Sequence, residues 1–154
     1  METFKLFLHI ITSMDKFELF DKIIEDLDRK GYQSKTILKE SKSNPAFEIS
    51  KENKTAYLTI CEVGIKPAKY PEIVFCGISP KIQRLIELEK TFVVIIDHQP
   101  SKLTFILTKL NKTNYRHNKI DYLIFHFKRP RYGNFFNTEN LNELVSEIQS
   151  IVTG

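Results

Sequence analysis

Two glutamates and a lysine stand where phosphodiester chemistry could be done. Glu48 lies in a short extended run, Phe47–Ser50, and Glu62 near the end of a second, Ala56–Val63. The segment Lys51-Glu52-Asn53-Lys54 between them reads as the turn of a β-hairpin. Lys66 and Lys69 follow just beyond Glu62. Acids on adjoining strands can hold Mg²⁺, and a metal so held can activate a water against a phosphodiester. Glu48 and Glu62 are therefore the candidate metal ligands, and Glu48, Glu62 and Lys66 the candidate catalytic set. Mg²⁺ is the cofactor implied if the chain is catalytic. Glu18 or Glu25, on the helix that precedes the hairpin, could add to the cage. The histidines His9, His98, His117 and His126 are scattered, and Asp97-His98 at a strand end reads as a local cap. The glycines are isolated, so the sequence has no phosphate-cradling loop, and it has no Gly-x-Ser-x-Gly elbow.

A second constellation is electrostatic. The chain has 154 residues and a net charge of +4, unevenly spread. Between Ser101 and Tyr132, eight basic residues meet one acid, Asp121, so this segment carries +7 and the rest of the chain −3. The candidate nucleic-acid-binding residues are Lys109, Lys112, Tyr115, Arg116, Lys119, Lys128, Arg129 and Arg131, most of them in two loops, Asn111–Lys119 and Lys128–Asn134. Such a segment can track a phosphate backbone by counterion release, and a tyrosine near arginine can stack on an unpaired base. The expected partner is DNA or RNA. The competing expectation is a solvated or protein-facing surface, because charge speaks of partners and not of fold.

The elements that must position these residues are those of one domain over 1–154, with an apolar fraction of 42% and a charged fraction of 27% that exclude a disordered or fibrous chain. Phe17, Phe20, Ile23, Ile24 and Leu27 recur at helical spacing, which predicts a helix from Asp15 to Lys30. Ser13 or Asp15 would cap it, and Gly31 would end it. Residues 34–45 read as a loop with a short strand at Thr36-Ile37-Leu38, and Glu72–Ile78 as a third extended run. Ser79-Pro80 predicts a helix start, running to about Lys90. Phe92-Val93-Val94-Ile95-Ile96 reads as a central strand covered on both faces. Strands at Leu103–Thr108 and Asp121–Lys128 follow, then a C-terminal helix capped by Asn137 or Thr138. The expected fold class is α+β or α/β: a single mixed, mostly antiparallel sheet flanked by three helices, in the order α-βββ-α-βββ-α.

Cys61 and Cys76 lie in apolar runs outside any Cys-x-x-Cys pair, and read as buried, reduced thiols. The apolar first twelve residues lack a basic leader and a cleavage site, and no run reaches the length of a membrane span. The expectation is a cytoplasmic protein that neither carries a secretory signal nor enters a membrane.

The order of a leading helix, a hairpin with acids, a third strand, a helix and the buried Phe92–Ile96 strand resembles restriction-endonuclease-like proteins of the PD-(D/E)XK group. The segment Glu72–Leu110 looks most like that core. The resemblance implies a metal-dependent nuclease or an inactive relative that still binds nucleic acid. It puts Glu48 in the place of the family's usual aspartate, since no Asp occurs between Asp28 and Asp97. Residue 64 is Gly where the acid-x-Lys pattern after Glu62 wants lysine, so Lys66 stands in for it. The same order also looks like roadblock-type, profilin-like and secretion-chaperone domains. That likeness implies an adaptor or chaperone-like module without catalysis, a homodimer or one holding a protein partner.

Overall fold

The computed structural model describes residues 14–40, 44–63, 73–77, 90–98, 103–110, 122–126 and 135–154. Helix α1 spans Lys16–Arg29 and helix α2 spans Leu141–Thr153. The strands are β1 (Gln33–Leu38), β2 (Ala46–Lys51), β3 (Lys54–Val63), β4 (Ile73–Gly77), β5 (Thr91–His98), β6 (Leu103–Lys109), β7 (Tyr122–His126) and β8 (Phe135–Thr138). Six of them form one mixed sheet in the order β1-β2-β3-β5-β6-β8. The β3–β5 pair is parallel and the other neighbours are antiparallel. The class is thus α+β, built on a mixed and mostly antiparallel sheet.

Each element follows from its residues. In α1, Leu19, Phe20, Ile23 and Leu27 are buried on one face, and Asp15 caps the start by accepting the Glu18 N–H at 2.8 Å. Gly31 follows with φ +84°, a left-handed conformation that any Cβ would strain. Phe20 meets Phe47 of β2 edge to face, with ring centroids 5.0 Å apart. Phe47, Ile49, Ala56, Leu58, Ile60, Val94, Ile96, Leu103, Phe105 and Leu107 form the sheet's contribution to the core under the two helices. α2 adds Leu144, Val145, Ile148 and Val152. The second face is buried too, at Thr59, Cys61, Val93, Ile95, Ile106 and Thr108. Strand β5 is therefore covered on both sides, as its unbroken apolar run predicts.

Several expectations are corrected. The strands form two sheets, because β4 and β7 pair antiparallel in a separate two-stranded sheet. Strand β1 spans Gln33–Leu38, so the short strand expected at Thr36-Ile37-Leu38 begins three residues earlier and takes in Ser34 and Lys35, which read as loop; backbone pairing to β2 holds these polar residues extended. Phe135–Thr138 is an edge strand on β6 and not a helix start. The α2 cap is Asn140, whose side chain accepts the N–H groups of Asn142 and Glu143 at 2.8 and 3.2 Å. Thr138 supports that start from just upstream: its hydroxyl donates to Glu143 Oε2 at 2.6 Å and accepts the Asn140 N–H at 3.0 Å. Cys61 is disulfide-bonded and 2% exposed, not a reduced thiol. Its one possible partner in the sequence is Cys76. The helix expected after Ser79-Pro80, and with it the third flanking helix, lies outside the described residues, as does the segment 3–12. Among the described residues no helix is long and apolar enough to cross a membrane.

Candidate nucleic-acid interface

The hairpin register decides what the two glutamates can do. Glu52 and Asn53 have φ of +52° and +67° and make a two-residue turn of the kind that matches strand twist. Lys51 then pairs with Lys54, and Glu48 with Tyr57. Partners in an antiparallel pair share a face, and residues alternate faces along a strand. Glu48 therefore lies on the face of Tyr57, Thr59 and Cys61. Glu62 lies on the helix-bearing face with Leu58 and Ile60. The structure does not bring Glu48 and Glu62 together, and a Mg²⁺ ion held by both does not fit.

Glu62 has a different partner. Its Oε1 accepts the backbone N–H of Lys16, the first residue of α1. A carboxylate there satisfies one of the unpaired helix donors and lies at the positive end of the helix dipole. The Lys16 ammonium reaches Asn44 Oδ1 at 2.9 Å and so ties the same end of α1 to the start of β2. Glu18 and Glu25 are exposed on α1. Asp97 and His98 are consecutive on β5, with Asp97 opposite Thr104 and His98 opposite Leu103, so they point to opposite faces and make no acid–base pair. Among the described residues no cluster of three His, Cys, Asp or Glu side chains could hold a metal ion. Lys66 lies outside the described residues.

The basic segment is placed by topology. Strand β6 delivers the chain to Lys109, which is exposed, and the Leu110 N–H bonds the Thr91 carbonyl at 2.8 Å. Strand β8 re-enters with Phe135 opposite Thr108 of β6. The chain between them, residues 111–134, thus leaves and returns at the same end of the sheet. It carries Lys112, Tyr115, Arg116, Lys119, Lys128, Arg129 and Arg131, whose own positions lie outside the described residues. Midway along it, β7 pairs with β4.

That end of the sheet holds further lysines, which the sequence did not single out. Both helices finish there, with carbonyls that have no partner within the helix and the negative ends of their dipoles. Lys51 Nζ bonds the Lys30 carbonyl at 3.4 Å and lies 4.5 Å from the Tyr32 ring centroid. Lys54 Nζ bonds the Thr153 carbonyl at 2.5 Å, and Lys90 Nζ the Gly154 carbonyl at 3.2 Å. In sequence Lys51 and Lys54 look like turn residues and Lys90 like a helix end. Only the strand register shows that they belong to one place. No family model, curated protein or solved structure matches this chain.

Proposed function

We propose that the chain is a nucleic-acid-binding domain, similar to restriction-endonuclease-like proteins in element order, that engages DNA or RNA through its basic end. The observation that carries this reading is the common root of the excursion 111–134: a segment rich in Lys and Arg starts and finishes at one end of the sheet. Positive charge that meets a phosphate backbone releases counterions. Catalysis through Glu48 and Glu62 does not belong to this reading, since the two acids lie on opposite faces. The test is electrophoretic retention of labelled DNA and RNA at two salt concentrations, for the wild type and for Arg116→Glu with Arg129→Glu. Retention that falls with salt and with charge reversal supports the reading; retention indifferent to both overturns it.

A cytoplasmic location belongs to this proposal, and the disulfide at Cys61 weighs against it. Disulfides are rare in that compartment, so the bridge at Cys61 needs a reduction potential below about −300 mV to persist against the glutathione pool. Equilibration in glutathione buffers reads that potential directly. A second reading, the dimeric adaptor, draws on β1. Among the described residues this strand pairs with β2 alone, and Gln33–Thr36 are exposed. A sheet edge of this kind can accept a strand from another chain.

A further inference from the structure

Lys51, Lys54, Lys90 and Lys109 are scattered in sequence and sit on four successive strands or their entries. Lys51 ends β2, Lys54 begins β3, Lys90 precedes β5 and Lys109 ends β6. The register puts all four on one face. Lys51 faces Lys54, and both lie on the parity of Phe47 and Leu58. Lys109 faces Phe92, and Lys90 is two residues before Phe92 on the same parity. The row runs obliquely, each lysine after Lys54 standing two residues further along the sheet than the one before. With strands ~4.8 Å apart and ~3.3 Å per residue, it spans roughly 20 Å.

Part of this arrangement is structural: three of the four ammonium groups meet carbonyls at the helix C-termini, of Thr153 and of the cap residues Lys30 and Gly154. That does not exhaust their charge. A helix end carries about half an elementary negative charge, so one ammonium at the end of α1 and two at the end of α2 leave a positive surplus. One carbonyl occupies one of an ammonium's three N–H groups. Lys51 directly opposite Lys54 is also a like-charge cross-strand pair, which works against hairpin stability. The row ends at Lys109, where the basic excursion 111–134 leaves the sheet.

We propose that Lys51, Lys54, Lys90 and Lys109 form a phosphate-contacting strip along which a nucleic-acid backbone lies. This rests on the nucleic-acid-binding reading above and extends it to a surface made by the sheet itself. The occupant is a polyanion of regularly spaced charge, because a row ~20 Å long on one face matches an extended phosphate backbone better than a single anion. Glu52, exposed at the turn between Lys51 and Lys54, is the acid that such a backbone meets there.

The experiment is a salt titration of fluorescence anisotropy, using a labelled single-stranded 30-mer and a labelled 20-base-pair duplex. It compares wild type, Lys51→Gln/Lys54→Gln/Lys90→Gln, Glu52→Asn and Arg116→Glu/Arg129→Glu, each checked for folding by circular dichroism. Removing one lysine that neutralises a phosphate lowers the slope of log affinity against log salt by ~0.7–0.9. The triple variant should therefore show a slope shallower by about 2–3. Between 50 and 200 mM salt the wild type would then weaken about 20- to 40-fold more than that variant. Glu52→Asn suits the left-handed turn position and removes the opposing charge, so it should tighten binding. A folded triple variant with an unchanged slope overturns the strip even if Arg116→Glu/Arg129→Glu abolishes binding, and the nucleic-acid reading then stands without it. If the triple variant does not fold, Glu52→Asn decides: tighter binding supports the strip, and unchanged binding overturns it. A wild type that binds neither probe at 50 mM salt overturns both.

Discussion

Replacing Glu62 with alanine separates two roles for one residue. As a catalytic acid, Glu62 would matter to cleavage and little to stability. As the partner of the Lys16 N–H at the start of α1, it matters to stability alone. Loss of a capping acceptor costs ~0.5–2 kcal/mol, and loss of a negative charge at a helix N-terminus ~0.3–1 kcal/mol at an exposed site. Glu62 is exposed, and Asp15 still caps the helix through the Glu18 N–H, so the low end applies. The expected cost is about 0.5–1 kcal/mol. For a chain of this size that lowers the thermal midpoint by about 1–4 °C. Glu62→Gln keeps an acceptor and should cost less, and added salt should narrow the gap between wild type and Glu62→Gln, which differ in charge alone. Glu48→Ala, on the other face and half-buried, should stay within about 0.5 kcal/mol of wild type. The assay is thermal unfolding followed by circular dichroism, run beside Mg²⁺-dependent plasmid nicking. An unmoved midpoint in Glu62→Ala, with nicking present in wild type and abolished in both Glu62→Ala and Glu48→Ala, would refute the assignment.

Phe47→Ala removes a fully buried ring that meets Phe20 edge to face, and should cost ~3–5 kcal/mol in a denaturant titration. Asn140→Ala strips both N–H groups of their acceptor at the start of α2, and should cost ~1 kcal/mol, read in the same way. Cys61 is disulfide-bonded and Cys76 is the one other cysteine, so the unreduced protein should be lighter than the reduced form by the two thiol hydrogens in intact mass spectrometry. Opening a ring from 61 to 76 should cost ~3 kcal/mol by the chain-entropy estimate, and alkylation of both thiols without reductant would contradict the bridge.

The sequence makes α1 legible because a single buried face recurs at three and four residues from Leu19 to Leu27, with a cap before it and Gly31 after it. Strand β5 is legible because four consecutive β-branched residues leave it no wet face. The hairpin is legible as a hairpin, but its consequence for the acids is not. Facing depends on the parity of the turn, and the two-residue turn at Glu52-Asn53 puts Glu48 level with Tyr57. A three-residue turn that drew in Lys54 and paired Lys51 with Thr55 would have put Glu48 level with Leu58, on the face of Glu62. The first half of β1 and the whole of β8 escape notice because their residues carry weak signals of their own. Gln33–Thr36 is polar, and Phe135–Thr138 ends in two residues that look like helix caps. The lysine row is invisible in one dimension, since its members come from four places in the chain and meet only through register.

The most direct test of the nucleic-acid reading is lysine footprinting, in which surface amines are acetylated with and without bound nucleic acid and mapped by mass spectrometry. The account predicts that DNA or RNA shields Lys109, Lys112, Lys119 and Lys128, while Lys22 and Lys39 on the α1 side label as before. Equal labelling of all six in the presence of saturating nucleic acid, or shielding confined to Lys22 and Lys39, would contradict it.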